Sequence, residues 1–363
     1  MSNLNFGSWI SKIHMTSTSG PSHEVFFSVF HEHTPPFRLH VVLFSINTFK
    51  SFLRLSSSQS VYSFDHCFPG VQAVVIDFLD TLWVLDTGRV SYAGVMLESS
   101  PGGPKLVSID LTNDTITRVF TFPTSVAKPI SYFSDVRFDT SRGFAYIGDA
   151  SPGTQANALV VVDLETGDSW RVLERDFSVT AFPGFVPFIY GDPVYTILGG
   201  LALSPDTETL YYSPAGRYLF SVPTYLLRNR FTPGLEIVGS VRNLGEKGWS
   251  AAIVSDSLGF VYGGNFEQDG IFVYDPRTGL VVLLVRDKRI NFVSRFSVGE
   301  DGYLYFTVDQ LNFLPSMYSG RGELGKDRRR KPYVVFRIKF MTKTTSSLFF
   351  WIQDSLKLPE IFL

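Results

Sequence analysis

The stretch LALSPDTETLYYSP, residues 201–214, decides the fold: an apolar strand, a polar turn, and a second apolar strand with an aromatic at its middle. The same pattern recurs in VVIDFLDTLWVLD (74–86), VRFDTSRGFAYIGD (136–149), AIVSDSLGFVYGGN (252–265) and FSVGEDGYLYFTV (296–308). The aromatics Trp83, Tyr146, Tyr211, Tyr262 and Tyr305 hold the same place in each copy, 43 to 65 residues apart. Asp, Ser, Gly and Asn in the turns tolerate hairpin backbone angles, while Val, Ile, Leu and Tyr suit the pleated strands on either side.

Working outward, each hairpin is followed by further apolar segments: LVSIDLTNDTITRVFTF (106–122), ALVVVDLETGDSWRVL (158–173), YLFSVPTYLL (218–227), IFVYDPRTGLVVLLV (271–285) and VVFRIKF (334–340). Two hairpins make a four-stranded sheet. Such sheets repeating along a chain predict an all-β protein, a six-bladed β-propeller of four-stranded blades, rather than a β-sandwich. Five blades are visible in the repeat. The sixth is expected from Phe37–Phe64, closed by the last strand, Tyr333–Phe340. The predicted organisation is a divergent N-terminal segment (1–65), a propeller (66–340) and a C-terminal tail (341–363).

Composition agrees with this reading. Of the 363 residues, 44% are hydrophobic and 18% charged, enough apolar material for a large core and against global disorder. The net charge of -2 gives no overall basic excess, so no nucleic-acid partner is expected. The basic cluster DRRRKP (327–332) reads as a solvated loop. The single cysteine, Cys67, excludes an internal disulfide and a cysteine-based zinc cluster. All six histidines fall in the first 66 residues, so chemistry in the main body proceeds without histidine.

Met1–Gly20 shows no basic start followed by an apolar run, so no signal peptide is visible. The apolar stretches at 40–55 and 348–352 are shorter than the ~18 residues of a membrane span. Membrane attachment is therefore disfavoured, and the tail reads as a docking segment or interfacial helix. Asn113-Asp114-Thr115 is a glycosylation sequon on a hairpin turn, meaningful only in a secreted chain. Gly199, Gly200, Gly263 and Gly264 precede no helical pattern and support no phosphate-binding loop.

The motifs LWVLDTG (82–88), SDVRFD (134–139), AYIGDASPG (145–153), LVVVDLETGDSWRVL (159–173), LFSVPTYLLRN (219–229) and GYLYFTVDQL (302–311), in this order, resemble the major royal jelly protein/Yellow family, most of all its shorter fungal and bacterial branch. The resemblance runs from about Val71 to Lys339. It implies a six-bladed propeller, extracellular, with a ligand pocket at one end of the central channel. It also implies binding of small amines and a link to pigment formation, with dopachrome tautomerase, an isomerase activity, assigned to some relatives.

In a propeller the innermost strands line the axis, and the repeat places Gln72, Asp135, Gly199, Ala251 and Ser294 at their entrances. The family resemblance implies carboxylates at three of these positions, those of Gly199, Ala251 and Ser294, and asparagine at Ser134. Asp135 alone keeps an acid, a poor basis for a Ca²⁺ cage or for paired-carboxylate catalysis. No metal site and no cofactor are expected. The candidate catalytic residues are Asp135 and Glu267. The candidate ligand-binding residues are Gln72, Tyr132, Ser134, Trp249, Asn265, Ser294, Arg295 and Gln310, with Arg295 expected to pair with Asp135 across the channel. The function expected first is a propeller binding a small aromatic or amine ligand. The alternatives are a dopachrome-tautomerase-like isomerase and a degenerate, non-catalytic scaffold.

Overall fold

The computed structural model describes the strands 24–30, 39–45 and 49–55, most residues from 68 to 339, and the strand 360–361. Within 68–339 it leaves aside 182–187, 194–198, 314–326 and shorter loop stretches. Two compact units divide the chain, Met1–Phe133 and Ser134–Leu363. Five four-stranded antiparallel sheets carry the architecture, each with its strands paired in chain order, as in the blades of a β-propeller.

The first blade comprises Val71–Ile76, Thr81–Asp86, Lys105–Asp110 and Thr115–Thr121. The second comprises Phe133–Asp139, Phe144–Asp149, Ala158–Asp163 and Ser169–Val172. The third comprises Gly200–Leu203, Thr209–Ser213, Tyr218–Pro223 and Arg242–Glu246. Ile253–Ser255, Val261–Asn265, Gly270–Asp275 and Leu280–Arg286 make the fourth. Val293–Val298, Tyr303–Val308, Val334–Lys339 and Glu360–Ile361 make the fifth.

The recurrent acidic turn and mid-strand aromatic have a physical cause. In the first blade Asp77 accepts the backbone N–H groups of Leu79 and Thr81 at 2.9 and 3.0 Å, and Trp83 Nε1 donates to the same carboxylate at 2.8 Å. In the fourth, Asp256 holds the N–H groups of Leu258 and Phe260 and accepts the Tyr262 hydroxyl at 2.9 Å. In these two blades the aromatic locks the turn while its ring enters the core.

Strand alternation distributes the core between blades. In the third blade Leu210 and Tyr212 pack with Tyr146, Leu159 and Val161 of the second. Tyr211, between them, turns the other way and packs with Ile253, Val261 and Phe272 of the fourth. Both faces of a blade are therefore buried, which is why ALVVV and GIFVY read as continuous apolar runs. A further cluster joins the fourth and fifth blades through Trp249, Phe266, Phe292, Phe306 and Phe336. In the unit Met1–Phe133, the first blade packs Val74, Leu82, Val84 and Val107 together. It also buries an ion pair, Lys105 Nζ to Asp86 at 3.3 Å; burial pushes the Asp86 carboxyl up, opposed by Lys105 and by the N–H groups of Gly88 and Gly70.

Two expectations need correction. The described residues form five blades, not six. Strands at Glu24–Phe30, Leu39–Ser45 and Phe49–Leu55 make a separate three-stranded sheet, and Val334–Lys339 already has a partner on each edge, Tyr303–Val308 and Glu360–Ile361. It therefore has no free edge with which to close a sixth blade. Of the C-terminal tail the structure describes only Glu360–Ile361, a strand of the fifth blade; the apolar run at 348–352 lies outside the described residues. Finally, YLFSVPTYLL is one strand followed by a helix, Thr224–Arg228, because Pro223 ends the strand and lies just ahead of the first helical turn. A second helix, Gly234–Ser240, precedes the fourth strand. His40 lies in a strand; the other five histidines, Cys67, Asn113 and Asp114 lie outside the described residues.

The third and fourth blades approach too closely for a side chain at Gly200, where a Cβ would stand 2.7 Å from Ile253 N and 2.8 Å from Ala252 Cα. Gly200→Ala is expected to cost about 1–3 kcal/mol through overpacking, read as a lower denaturant midpoint with an unchanged slope.

Candidate functional site

The innermost strand of a blade has only one hydrogen-bonded neighbour, so its other edge carries backbone groups that the sheet leaves unmet. In the unit Ser134–Leu363, side chains supply them. Asp135 is 2% exposed, and its Oδ2 accepts the backbone N–H of Leu201, on the innermost strand of the third blade, at 3.0 Å. Its Oδ1 accepts Val136 N–H at 3.0 Å and Arg137 Nη1 at 2.8 Å. Arg137 also donates from Nη2 to the carbonyl of Ile253, on the innermost strand of the fourth blade, at 3.0 Å. Arg295, from the fifth blade, donates to the carbonyl of Ser134 at 2.9 Å and to that of Ser294 at 3.3 Å.

Asp135 and Arg295 were expected to pair. The ion pair of Asp135 is made by Arg137 instead, two residues along the same strand and on the same face. Arg295 meets the second blade through its backbone. Ser294 points away from this brace and donates its hydroxyl to Asp309, at the end of the neighbouring strand.

A second group gathers where the third and fourth blades adjoin. Glu267 Oε2 accepts the backbone N–H of Trp249 at 3.2 Å, and Arg217 grips both carboxylate oxygens, with Nε at 2.9 and 3.1 Å. The Trp249 ring is fully buried, edge-on to Phe266 at 5.0 Å and to Phe292 at 6.1 Å. Asn265 donates Nδ2 to the Lys247 carbonyl at 3.2 Å, while its buried Oδ1 has no partner. Between them Gly248 adopts φ +81°, and a Cβ there would overlap the Asn265 amide. Lys247 is itself buried, its ammonium donating to the carbonyls of Gly248 at 2.8 Å and Gly216 at 3.2 Å. Burial pulls its pKa down to about 7, against the charge of Glu267, which raises it.

The remaining candidates make other contacts. Gln310 has φ 53° and clamps a loop, donating to Arg330 O at 2.6 Å and accepting Arg330 N–H at 2.9 Å. In the unit Met1–Phe133, Tyr132 donates its hydroxyl to Gln72 Oε1 at 2.6 Å, both residues buried. Among the described residues no three His, Cys, Asp or Glu side chains gather closely enough to hold a metal ion. Nor is any helix among them long and apolar enough to cross a membrane.

Sequence reasoning passed over Arg137, Lys247 and Asp309. Asp309 belongs to a series that could have been found: a polar residue ends or follows the second strand of every blade, at Asp86, Asp149, Ser213, Asn265 and Asp309, and all five are buried. Asp149, for example, takes Arg171 at 3.0 Å and the Ser151 hydroxyl at 2.6 Å.

A family model described as Major royal jelly protein matches residues 70–323. The chain is 27% identical to Protein yellow of Drosophila yakuba over 175 residues, 43% of this chain and 30% of that protein. It is 27% identical to Major royal jelly protein 1 of Apis mellifera over 251 residues, 64% of this chain and 56% of that one. The match thus spans little more than half of the bee protein and less than a third of the fly protein. Among solved structures, a luciferin-regenerating enzyme is similar over 92% of both chains with a TM-score of 0.52 and 12% identity, a likeness of fold alone.

Asp135→Ala leaves Arg137 and the Leu201 N–H without their partner, and is expected to destabilise the fold by about 3–5 kcal/mol in denaturant unfolding. Lys247 gives a pH signature. Its folded-state pKa of about 7 lies below the usual lysine value of 10.5, so between these the unfolded chain binds more protons and stability rises with pH. The melting temperature of the wild type relative to Lys247→Met should climb across that window; a flat difference would place the amine in a solvated setting.

Proposed function

Because the chain belongs to the major royal jelly protein family, we propose that it is a binding propeller, taking a small aromatic or amine ligand at the channel end of its blades without turning it over. The observation that carries this reading is the commitment of both candidate bases. Asp135 has each oxygen engaged by Arg137, Val136 N–H or Leu201 N–H, and Glu267 is held by Arg217 and Trp249 N–H. A general base needs a lone pair within reach of the substrate proton, and these bonds take up most of the lone pairs the two carboxylates carry.

Binding asks less of the same residues. The unpartnered Oδ1 of Asn265 is an acceptor suited to an amine N–H or a phenol O–H, and an unmet buried acceptor favours a ligand that satisfies it. Ser134, Ser294 and Arg295 supply polar groups on the second and fifth blades. We read the protein as extracellular on the family resemblance, with catechol-type pigment precursors as the ligand class.

Thermal melts of the purified chain with dopamine and with dopachrome are the test, since a ligand selective for the folded state raises the apparent melting temperature. The expected result is a concentration-dependent rise, together with dopachrome loss no faster than in buffer. Accelerated loss that disappears in Glu267→Gln or Asp135→Asn would establish the isomerase instead. The absence of any shift with a folded sample would leave a scaffold.

A further inference from the structure

We propose that a cleft between the second and third blades, separate from the axial braces, binds a quaternary ammonium group. Its volume is about 170 Å³, below the ~300 Å³ at which drug-sized pockets begin, so it suits a headgroup or the end of a side chain. Three aromatic rings wall it. Phe177 follows the last strand of the second blade; Tyr218 and Phe220 belong to the third strand of the third. Phe177 stands at 89° to Phe220 with centroids 6.2 Å apart, and Tyr218 is tilted 53° to Phe220 at 6.4 Å. Phe177 is 53% exposed, a large apolar surface left in water beside the opening.

Charge selects the ligand. Arg217 also lines the cleft, but its guanidinium is held by Glu267, which neutralises it. Glu246, the cross-strand partner of Tyr218, lines the same cleft, and its carboxylate makes no hydrogen bond or ion pair among the described residues. Glu246 also acts on the charge of Arg217, and it sets a carboxylate without a hydrogen bond against the aromatic faces, an arrangement that attracts a cation.

Hydrogen bonding narrows the class further. A primary ammonium brings three N–H donors that each need an acceptor. Three carbonyls of the lining residues are engaged: Phe177 O by the Thr180 hydroxyl at 3.3 Å, Gly216 O by Lys247 Nζ at 3.2 Å, and Arg217 O by Lys247 N–H at 2.8 Å. Glu246 alone remains as a charged acceptor. A quaternary ammonium has no N–H to satisfy, and its methyl groups pack on the rings.

Isothermal titration of the full chain with choline, its uncharged isostere 3,3-dimethylbutanol and ethylamine tests this. Choline should bind saturably and at least about tenfold more tightly than the other two, and Phe177→Ala and Glu246→Gln should each weaken it about tenfold. Both residues lie at the surface, so the melting temperature serves as the check that each variant is folded. Saturating dopamine should leave choline affinity unchanged, which separates this cleft from the axial reading. No saturable choline binding, equal binding of the alcohol, indifference to both substitutions, or competition by dopamine would each overturn the proposal.

Discussion

The ion pair between Asp135 and Arg137, with the two backbone bonds it directs, is the constraint on which the unit Ser134–Leu363 depends. Each blade satisfies its own hydrogen-bond ladder, and the ladder stops at the innermost strand, whose free edge must find partners elsewhere. Asp135 answers an N–H of the third blade, Arg137 a carbonyl of the fourth, and Arg295, from the fifth, a carbonyl of the second. Apolar packing between blades fixes their spacing. It does not fix their register, because dispersion is non-directional. The charged braces do, since an N–H to carboxylate bond tolerates little displacement.

This division of labour explains why few charged groups are left for chemistry. A buried carboxylate is retained only where it is paired or hydrogen-bonded, and one that satisfies a neighbouring backbone has fewer lone pairs left to offer. Asp135 and Glu267 meet this condition, the first through Arg137 and the Leu201 N–H, the second through Arg217 and the Trp249 N–H. The same holds for the turn aspartates: Asp77 and Asp256 each organise a hairpin and receive an aromatic N–H or O–H. Lys247 is the exception in kind. Its surroundings favour the neutral amine, and its bonds to Gly216 and Gly248 anchor the start of the fourth blade.

Much of the fold was legible because both faces of a blade are buried and the hairpin chemistry is local. The five hairpins lie where LALSPDTETLYYSP and its copies predict, since turn residues and strand alternation act within about fourteen residues. What failed was non-local. Nothing in VVFRIKF indicates that its second partner is Glu360–Ile361, more than twenty positions on, and a short apolar run such as TYLL fits a strand or a helix equally until Pro223 is weighed. The candidate site was legible as a set of positions, not as a set of partners. Asp135 and Arg295 were both identified, but which cation reaches the carboxylate depends on side-chain reach within one strand, and Arg137 at i+2 has the shorter path.

The location of unmet polar groups then separates architecture from function. Along the innermost strands nearly every charge has a structural duty, whereas Glu246 stands on the outermost strand of its blade, where no further blade strand requires its help. An outermost strand can keep a carboxylate without hydrogen bonds at little cost because water solvates it on one side. Placing that carboxylate beside Phe177 and Tyr218 converts an exposed edge into a cation-selective wall. In this unit the braces at the axis hold the blades together, and the outer cleft is where charge remains available to a ligand.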